Sequence, residues 1–161
     1  MDPQTDTRHS RAPEQTEALG VALAPALREG DVLLLSGPLG AGKTRFVAGL
    51  ARALGCKGRV RSPSFTLVNE LRGERLTLFH LDLYRLETVD AMGLGLDEML
   101  ERGPVAVEWG ERLPAAYRAD ALELVFELAG ESERFLAAHA HGPRGHALLE
   151  HWRAMDAGRE A

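Results

Sequence analysis

Residues 37 to 44 read Gly-Pro-Leu-Gly-Ala-Gly-Lys-Thr, a full match to G-x-x-x-x-G-K-[ST], and they constrain both of their flanks. Upstream, Asp31 to Ser36 holds the apolar run Val32, Leu33, Leu34, Leu35, the pattern of a short buried strand. Downstream, Phe46, Val47, Leu50, Ala51 and Leu54 recur at helical spacing, and Gly55 marks the stop. Strand, glycine loop and helix in that order aim successive backbone N–H groups and a helix N-terminus at one anion. The glycines let the backbone approach that anion without a Cβ in the way. The competing reading, a glycine-rich turn with no ligand, is weakened by the strand and helix that flank it.

Lysine usage singles out the same stretch. Of the 19 basic residues only Lys43 and Lys57 are lysines, so arginine is the default cation of this chain. A lysine between Gly42 and Thr44 fits a site that needs a compact point charge and not a planar fork. In this geometry the loop residues Leu39, Gly40, Ala41 and Gly42 cradle phosphates, Lys43 neutralises the β and γ phosphates, and the Thr44 hydroxyl ligates Mg²⁺.

The 161 residues suffice for one domain with a real core, and 45% hydrophobic content is ordinary globular composition. The apolar runs are far shorter than the roughly 18 residues of a membrane span. The opening MDPQTDTRHSRAPEQ has no apolar centre, so it reads as neither signal nor anchor and is expected to be a disordered tail to Ala12. A single cysteine, Cys56, precludes an internal disulfide and fits a reducing cytoplasm. Net charge is −5, yet Lys43 to Arg75 carries eight basic residues against Glu70 and Glu74. That segment either faces phosphates, of a nucleotide or an RNA, or is a solvated face.

Further along, Thr16 to Arg28 reads as a helix that Pro25 shortens. Phe65 to Leu71 and Arg75 to Tyr84, joined by Arg72-Gly73-Glu74, read as an antiparallel hairpin, which departs from a purely parallel sheet. Thr88 to Arg102 reads as a short helix with a second piece from Leu96, because Gly93 and Gly95 interrupt it. Val105 to Val107 is a short buried strand that delivers Glu108. Ala121 to Leu128 and Glu133 to Ala140 form a second hairpin, and Ala147 to Met155 a closing helix.

A magnesium nucleotide site needs carboxylates at strand ends. Asp82 follows Leu78-Phe79-His80-Leu81, and Glu108 follows Val105-Ala106-Val107. The alternative for each is an ion pair with a neighbouring arginine such as Arg85 or Arg112. Ser62, Ser64 and Thr66 place hydroxyls on a proline-containing loop that either senses a γ-phosphate or is an ordinary turn. His139, His141, His146 and His151 match no compact ligand set, so no metal is expected there. The Lys-x-Asp signature of guanine recognition is missing, which favours adenine.

Four blocks in this order closely resemble the TsaE (formerly YjeE) ATPases of bacterial tRNA threonylcarbamoyladenosine biosynthesis: G-x-L-G-A-G-K-T at Gly37 to Thr44, VRSPSFTL at Val60 to Leu67, HLDLYRL at His80 to Leu86, and EWGER at Glu108 to Arg112. The resemblance covers about residues 13 to 135. It implies an α/β fold, a P-loop NTPase-like three-layer sandwich with a mixed parallel and antiparallel central sheet. The expected layout is an ATPase domain over 13–140 and a helical extension of it over 141–161. The resemblance further implies an ATPase that works with TsaB and TsaD toward the threonylcarbamoyl group on the adenosine beside the anticodon. By it, Thr44 and Glu108 hold Mg²⁺, Lys43 and Asp82 serve catalysis, and Ser62 to Thr66 form a nucleotide-sensing loop. His80, Trp109 and Arg134 are additional site candidates. Where the family commonly has Ser-Pro-Thr this chain has Ser62-Pro63-Ser64, which keeps the hydroxyl. A small-molecule kinase sharing the loop, and a nucleotide-dependent binding module without useful turnover, are the competing readings.

Overall fold

Strand β2, Val32–Ser36, is buried along its whole length, and this sets the layers on either side of it. In this computed structural model, which describes residues 3–63, 66–86 and 92–158, Leu33 and Leu35 join one hydrophobic cluster and Val32 and Leu34 another. A strand apolar on both faces must be covered on both, as in α/β proteins. The remaining strands are β1 (Thr5–Ser10), β3 (Val68–Arg72), β4 (Thr77–Asp82), β5 (Val105–Glu108), β6 (Ala121–Leu128) and β7 (Arg134–His141). They form one sheet in the order β1-β7-β6-β2-β5-β4-β3. The inner strands β4, β5, β2 and β6 are parallel, while the β3–β4, β6–β7 and β1–β7 pairs are antiparallel. The mixed α/β sheet is therefore as expected from sequence.

Helices α1 (Pro13–Leu23), α2 (Lys43–Ala53) and α5 (Gly142–Ala154) supply Leu19, Phe46, Leu50 and Trp152 to the first cluster. On the other face Leu96 of α3 (Leu96–Arg102) and Leu113, just before α4 (Ala115–Arg118), pack with Leu34, Leu81 and Val107. The α1–α2 contact is backbone against backbone. A Cβ on Gly20 would lie 2.2 Å from the Phe46 carbonyl oxygen, and one on Gly49 would lie 2.0 Å from that of Glu17. Among the described residues no helix is long and apolar enough to cross a membrane.

Several boundaries move. The expected tail to Ala12 instead contains β1, which pairs with β7 from Thr5↔His139 to Ser10↔Arg134. Arg8 is buried there and donates to the carbonyls of Trp152, Arg153 and Met155, the orphan acceptors at the end of α5. An unremarkable polar segment thus orders because an open sheet edge and a helix terminus both need partners. Helix α1 begins at Pro13, and Pro25 sits in the 3₁₀ turn Ala24–Ala26. Helix α5 begins at Gly142, five residues before the predicted start, with Pro143 in its first turn where a missing N–H costs nothing. The hairpin strand expected from Phe65 begins at Val68, Phe65 itself lying outside the described residues. Of the interrupted 88–102 helix, residues 88–91 also lie outside, and a 3₁₀ turn at Met92–Leu94 precedes α3.

Gly49→Ala separates two opposing effects. Alanine raises helix propensity by about 1 kcal/mol, while forcing a Cβ into backbone costs about 3 kcal/mol. A net loss of about 2 kcal/mol is expected from urea denaturation midpoints, with Gly93→Ala, where a Cβ meets open space, close to neutral. A Gly49→Ala variant at least as stable as the parent would contradict the close approach.

Candidate functional site

The parallel register brings three strand ends together. Leu35 stands opposite Glu108, and Glu108 opposite Asp82, so β2, β4 and β5 finish on one edge of the sheet. From β2 the chain turns through the glycine loop into α2. Gly37 takes φ +137°, and a Cβ there would lie 2.6 Å from the Phe126 carbonyl oxygen. Gly42 precedes α2 at φ +102°, a left-handed conformation that a side chain would strain. No side chain caps α2 and no acidic residue lies in its first turn. The positive end of an eleven-residue helix is thereby left facing a cavity of ≈ 440 Å³, a size suited to a small ligand.

Lys43, Thr44, Asp82 and Glu108 all line this cavity. Lys43 is 4% exposed, donates from Nζ to the Gly37 carbonyl at 2.6 Å, and lies 4.0 Å from the centre of the Trp109 ring. Burial holds its ammonium below the ordinary pKa of 10.5, partly opposed by the charges of Glu108, Glu111 and Asp82. The Thr44 hydroxyl donates to Glu108 Oε2 at 2.8 Å, and His80 Nε2 meets the same oxygen at 2.6 Å. Asp82 accepts from the Ser62 hydroxyl at 3.1 Å and from the Tyr84 amide at 2.9 Å.

Glu108 therefore spends its hydrogen bonds on Thr44 and His80 and not on Arg112. That arginine instead donates to the carbonyls of Leu83, Tyr84 and Leu86 and lies 5.3 Å from the Trp109 ring. Trp109 adopts φ +61°, and its amide is held by the Leu35 carbonyl at 2.8 Å, so the chain turns sharply just past Glu108. Arg134, the first residue of β7, reaches the Gly40 carbonyl at 3.1 Å and ties the far hairpin to the glycine loop. Leu39, 65% exposed, forms the lip of the cavity.

Of the three hydroxyls proposed for a sensing loop, Ser62 lines the cavity, whereas Thr66 bonds Asn69 and lines a separate cleft. Ser64 lies outside the described residues. Sequence reasoning missed Thr16, which lines the cavity beside Gly42. Its signal was a hydroxyl on the apolar stripe of α1, in line with Leu19 and Leu23. It also missed Glu131 in the β6–β7 turn, for which nothing local gives a cue. The four C-terminal histidines disperse: His139 meets Thr5, His141 meets Glu123, and His146 and His151 meet the carbonyls of Gly142 and Ala22. Burial pushes the Cys56 thiol up in pKa, as expected of a structural residue and not of a nucleophile.

Among the described residues no three His, Cys, Asp or Glu side chains gather into a metal-holding group. A hydroxyl beside one carboxylate is nevertheless a hard-oxygen set that fits Mg²⁺, which keeps most of its positions for water and phosphate.

The lowered Lys43 pKa makes a stability prediction. The folded chain binds this proton more weakly than the unfolded chain, so charging Lys43 opposes folding below its lowered pKa, and that penalty fades as pH rises toward 10.5. Lys43→Met should be more stable than the parent at pH 7, with the gain shrinking as pH rises toward 10.5. A variant less stable than the parent at pH 7 would contradict the desolvated cation.

The chain matches the family model for "Threonylcarbamoyl adenosine biosynthesis protein TsaE" over residues 10–136. It is 40% identical over 139 residues to the tRNA threonylcarbamoyladenosine biosynthesis protein TsaE of Bacillus subtilis (strain 168), covering 86% of this chain and 87% of that one. It is 37% identical over 139 residues to the protein of the same name from Mycobacterium bovis, covering 80% and 83%. The crystal structure of Bacillus subtilis YdiB superposes with a TM-score of 0.77 at 36% identity, covering 94% of this chain and 95% of that one. With the model spanning the strand-end acids and the glycine loop together, this chain belongs to the TsaE family.

Proposed function

We propose that this protein is a magnesium-dependent ATPase that works with TsaB and TsaD to form the threonylcarbamoyl group on the adenosine beside the anticodon of tRNAs. The observation that carries the reading is the Thr44–Glu108 hydrogen bond, formed beside an uncapped helix N-terminus and a buried lysine. The relatives reported above are named for tRNA threonylcarbamoyladenosine biosynthesis. A small-molecule kinase gains no such support.

Each residue has a defined task in this reading. The amides of Gly40 to Thr44 receive the phosphate oxygens, the Ala41 amide leaving the Pro38 carbonyl 3.2 Å away to do so. Lys43 exchanges the Gly37 carbonyl for the β and γ phosphates, recovering the charge interaction that burial denies it in their absence. Thr44 and Glu108 would hold Mg²⁺, which when bound neutralises charge on the transferred phosphoryl group. Asp82, fixed by Ser62 and the Tyr84 amide, orients the attacking water. Because Ser62 bonds Asp82 and also lines the cavity, a change in the 62–66 loop would be transmitted to the hydrolytic carboxylate.

Arg134 and Arg112 are both committed to backbone carbonyls, and Arg45 at the cavity wall faces Glu17 at 3.8 Å, so a partner is the expected source of additional transition-state charge. Such charge is worth about 10³ to 10⁵ in rate. The purified chain should thus bind ATP and hydrolyse it slowly, with TsaB and TsaD raising the rate. Phosphate release measured alongside modified adenosine, with tRNA and a threonylcarbamoyl donor present, tests this directly. Fast hydrolysis indifferent to the partners, with no modified tRNA, would move the assignment to the kinase reading. Asp82→Ala should lower turnover by about 10² or more while ATP affinity stays within about threefold. Equal losses in affinity and turnover would instead place Asp82 in binding.

A further inference from the structure

His80 is completely buried on β4, on the sheet face that carries Leu78 below it and Asp82 above it. Its neighbours across the strand, Ala106 opposite and Glu108 two residues on, explain how it reaches the site. Ala106 offers only a methyl group, and the imidazole spans to Glu108 Oε2 at 2.6 Å. The other ring nitrogen, Nδ1, has no hydrogen-bond partner among the described residues. A bare lone pair is tolerable in that position, whereas an unpaired N–H would cost more. The proton therefore belongs on Nε2, donated to Glu108.

Two donors, the Thr44 hydroxyl and His80 Nε2–H, converge on the same carboxylate oxygen, and neither uses Oε1. A hydroxyl can present a lone pair to a metal while still donating its proton, so both bonds are compatible with an occupied site. Beside His80 on this sheet face stand Ala106 on β5, Leu78 on its own strand and Asn69 on β3, whose side chain is engaged with Arg61 and Thr66 and not with the imidazole, so among the described residues the ring's one polar contact is Glu108. Apolar filling does not explain an imidazole here. Orientation of the carboxylate does.

We propose that His80 is a positioning residue: its Nε2–H fixes the rotamer of Glu108 so that Oε1 is held for the magnesium ion of the nucleotide complex. This rests on the reading of Glu108 as a metal-holding carboxylate. Partners of this kind, one bond behind a ligand, typically contribute 10- to 100-fold to metal affinity.

The experiment compares His80→Gln with His80→Asn in the full chain. Glutamine can place an amide N–H near the position of Nε2, whereas asparagine reaches only to that of Nδ1. ATP binding is titrated calorimetrically at a series of free Mg²⁺ concentrations and again in EDTA, with Glu108→Gln alongside. The expected result is that His80→Asn raises the half-saturating Mg²⁺ concentration by about tenfold or more. His80→Gln should stay within about threefold of the parent, and ATP affinity in EDTA should be the same in both. If the two His80 variants shift the Mg²⁺ dependence equally, or not at all, while Glu108→Gln abolishes it, the positioning role is overturned and the metal site stands. If Glu108→Gln also leaves the Mg²⁺ dependence unchanged, the metal reading of Glu108 falls, and the role of His80 with it.

Discussion

The parallel pairing of β2 with β5 is the constraint on which the rest depends. It sets Leu35 opposite Glu108, and the chain leaving β2 must turn at once into α2, so Thr44 arrives within 2.8 Å of Glu108 Oε2. A shift of one residue in that register would turn Glu108 to the opposite face and leave a carboxylate among Leu34, Leu81 and Leu113. The hydrophobic pattern of β2 and β5 thus fixes the polar site, because burying Val105 and Val107 on one face obliges Ala106 and Glu108 to occupy the other.

Several parts of this were legible because their signals are local. The glycine loop, the strand before it, the helix after it and the two strand-end acids each declare themselves within about ten residues of chain. The β3–β4 and β6–β7 hairpins were equally readable from short apolar runs on either side of a turn. What escaped depends on partners distant in sequence. Strand β1 exists because β7 offers an edge 134 residues away, at Thr5 and His139, and nothing in TDTRHS announces it. The start of α5 at Gly142 was hidden by a proline and two glycines, residues that weaken a helix interior but suit its first turn. His80 was visible as a polar residue in an apolar run, yet its partner could be identified only once the register was known.

The basic segment from Lys43 to Arg75 divides by function. Arg45 lines the cavity, with Glu17 3.8 Å away, whereas Arg52 meets Glu17, Arg72 meets Glu70, and Arg75 donates to the carbonyls of Ala24 and Leu27 as parts of the scaffold. These last are structural uses, and the exposed ion pairs among them add little to stability. Lys57, Arg59 and Arg61 lie exposed along an irregular stretch that leads directly to Ser62 at the cavity. The positive charge read from sequence is therefore in part scaffolding and in part surface.

The measurement closest to the central claim is a crystal structure of this chain with magnesium and a non-hydrolysable ATP analogue. The account predicts phosphate oxygens on the amides of Gly40 to Thr44 and Lys43 Nζ transferred from the Gly37 carbonyl to the β and γ phosphates. It further predicts the metal at about 2.1 Å from the Thr44 oxygen, with Glu108 beside it. A nucleotide bound elsewhere, or bound here with Lys43 still on Gly37 and no metal at Thr44, would contradict it.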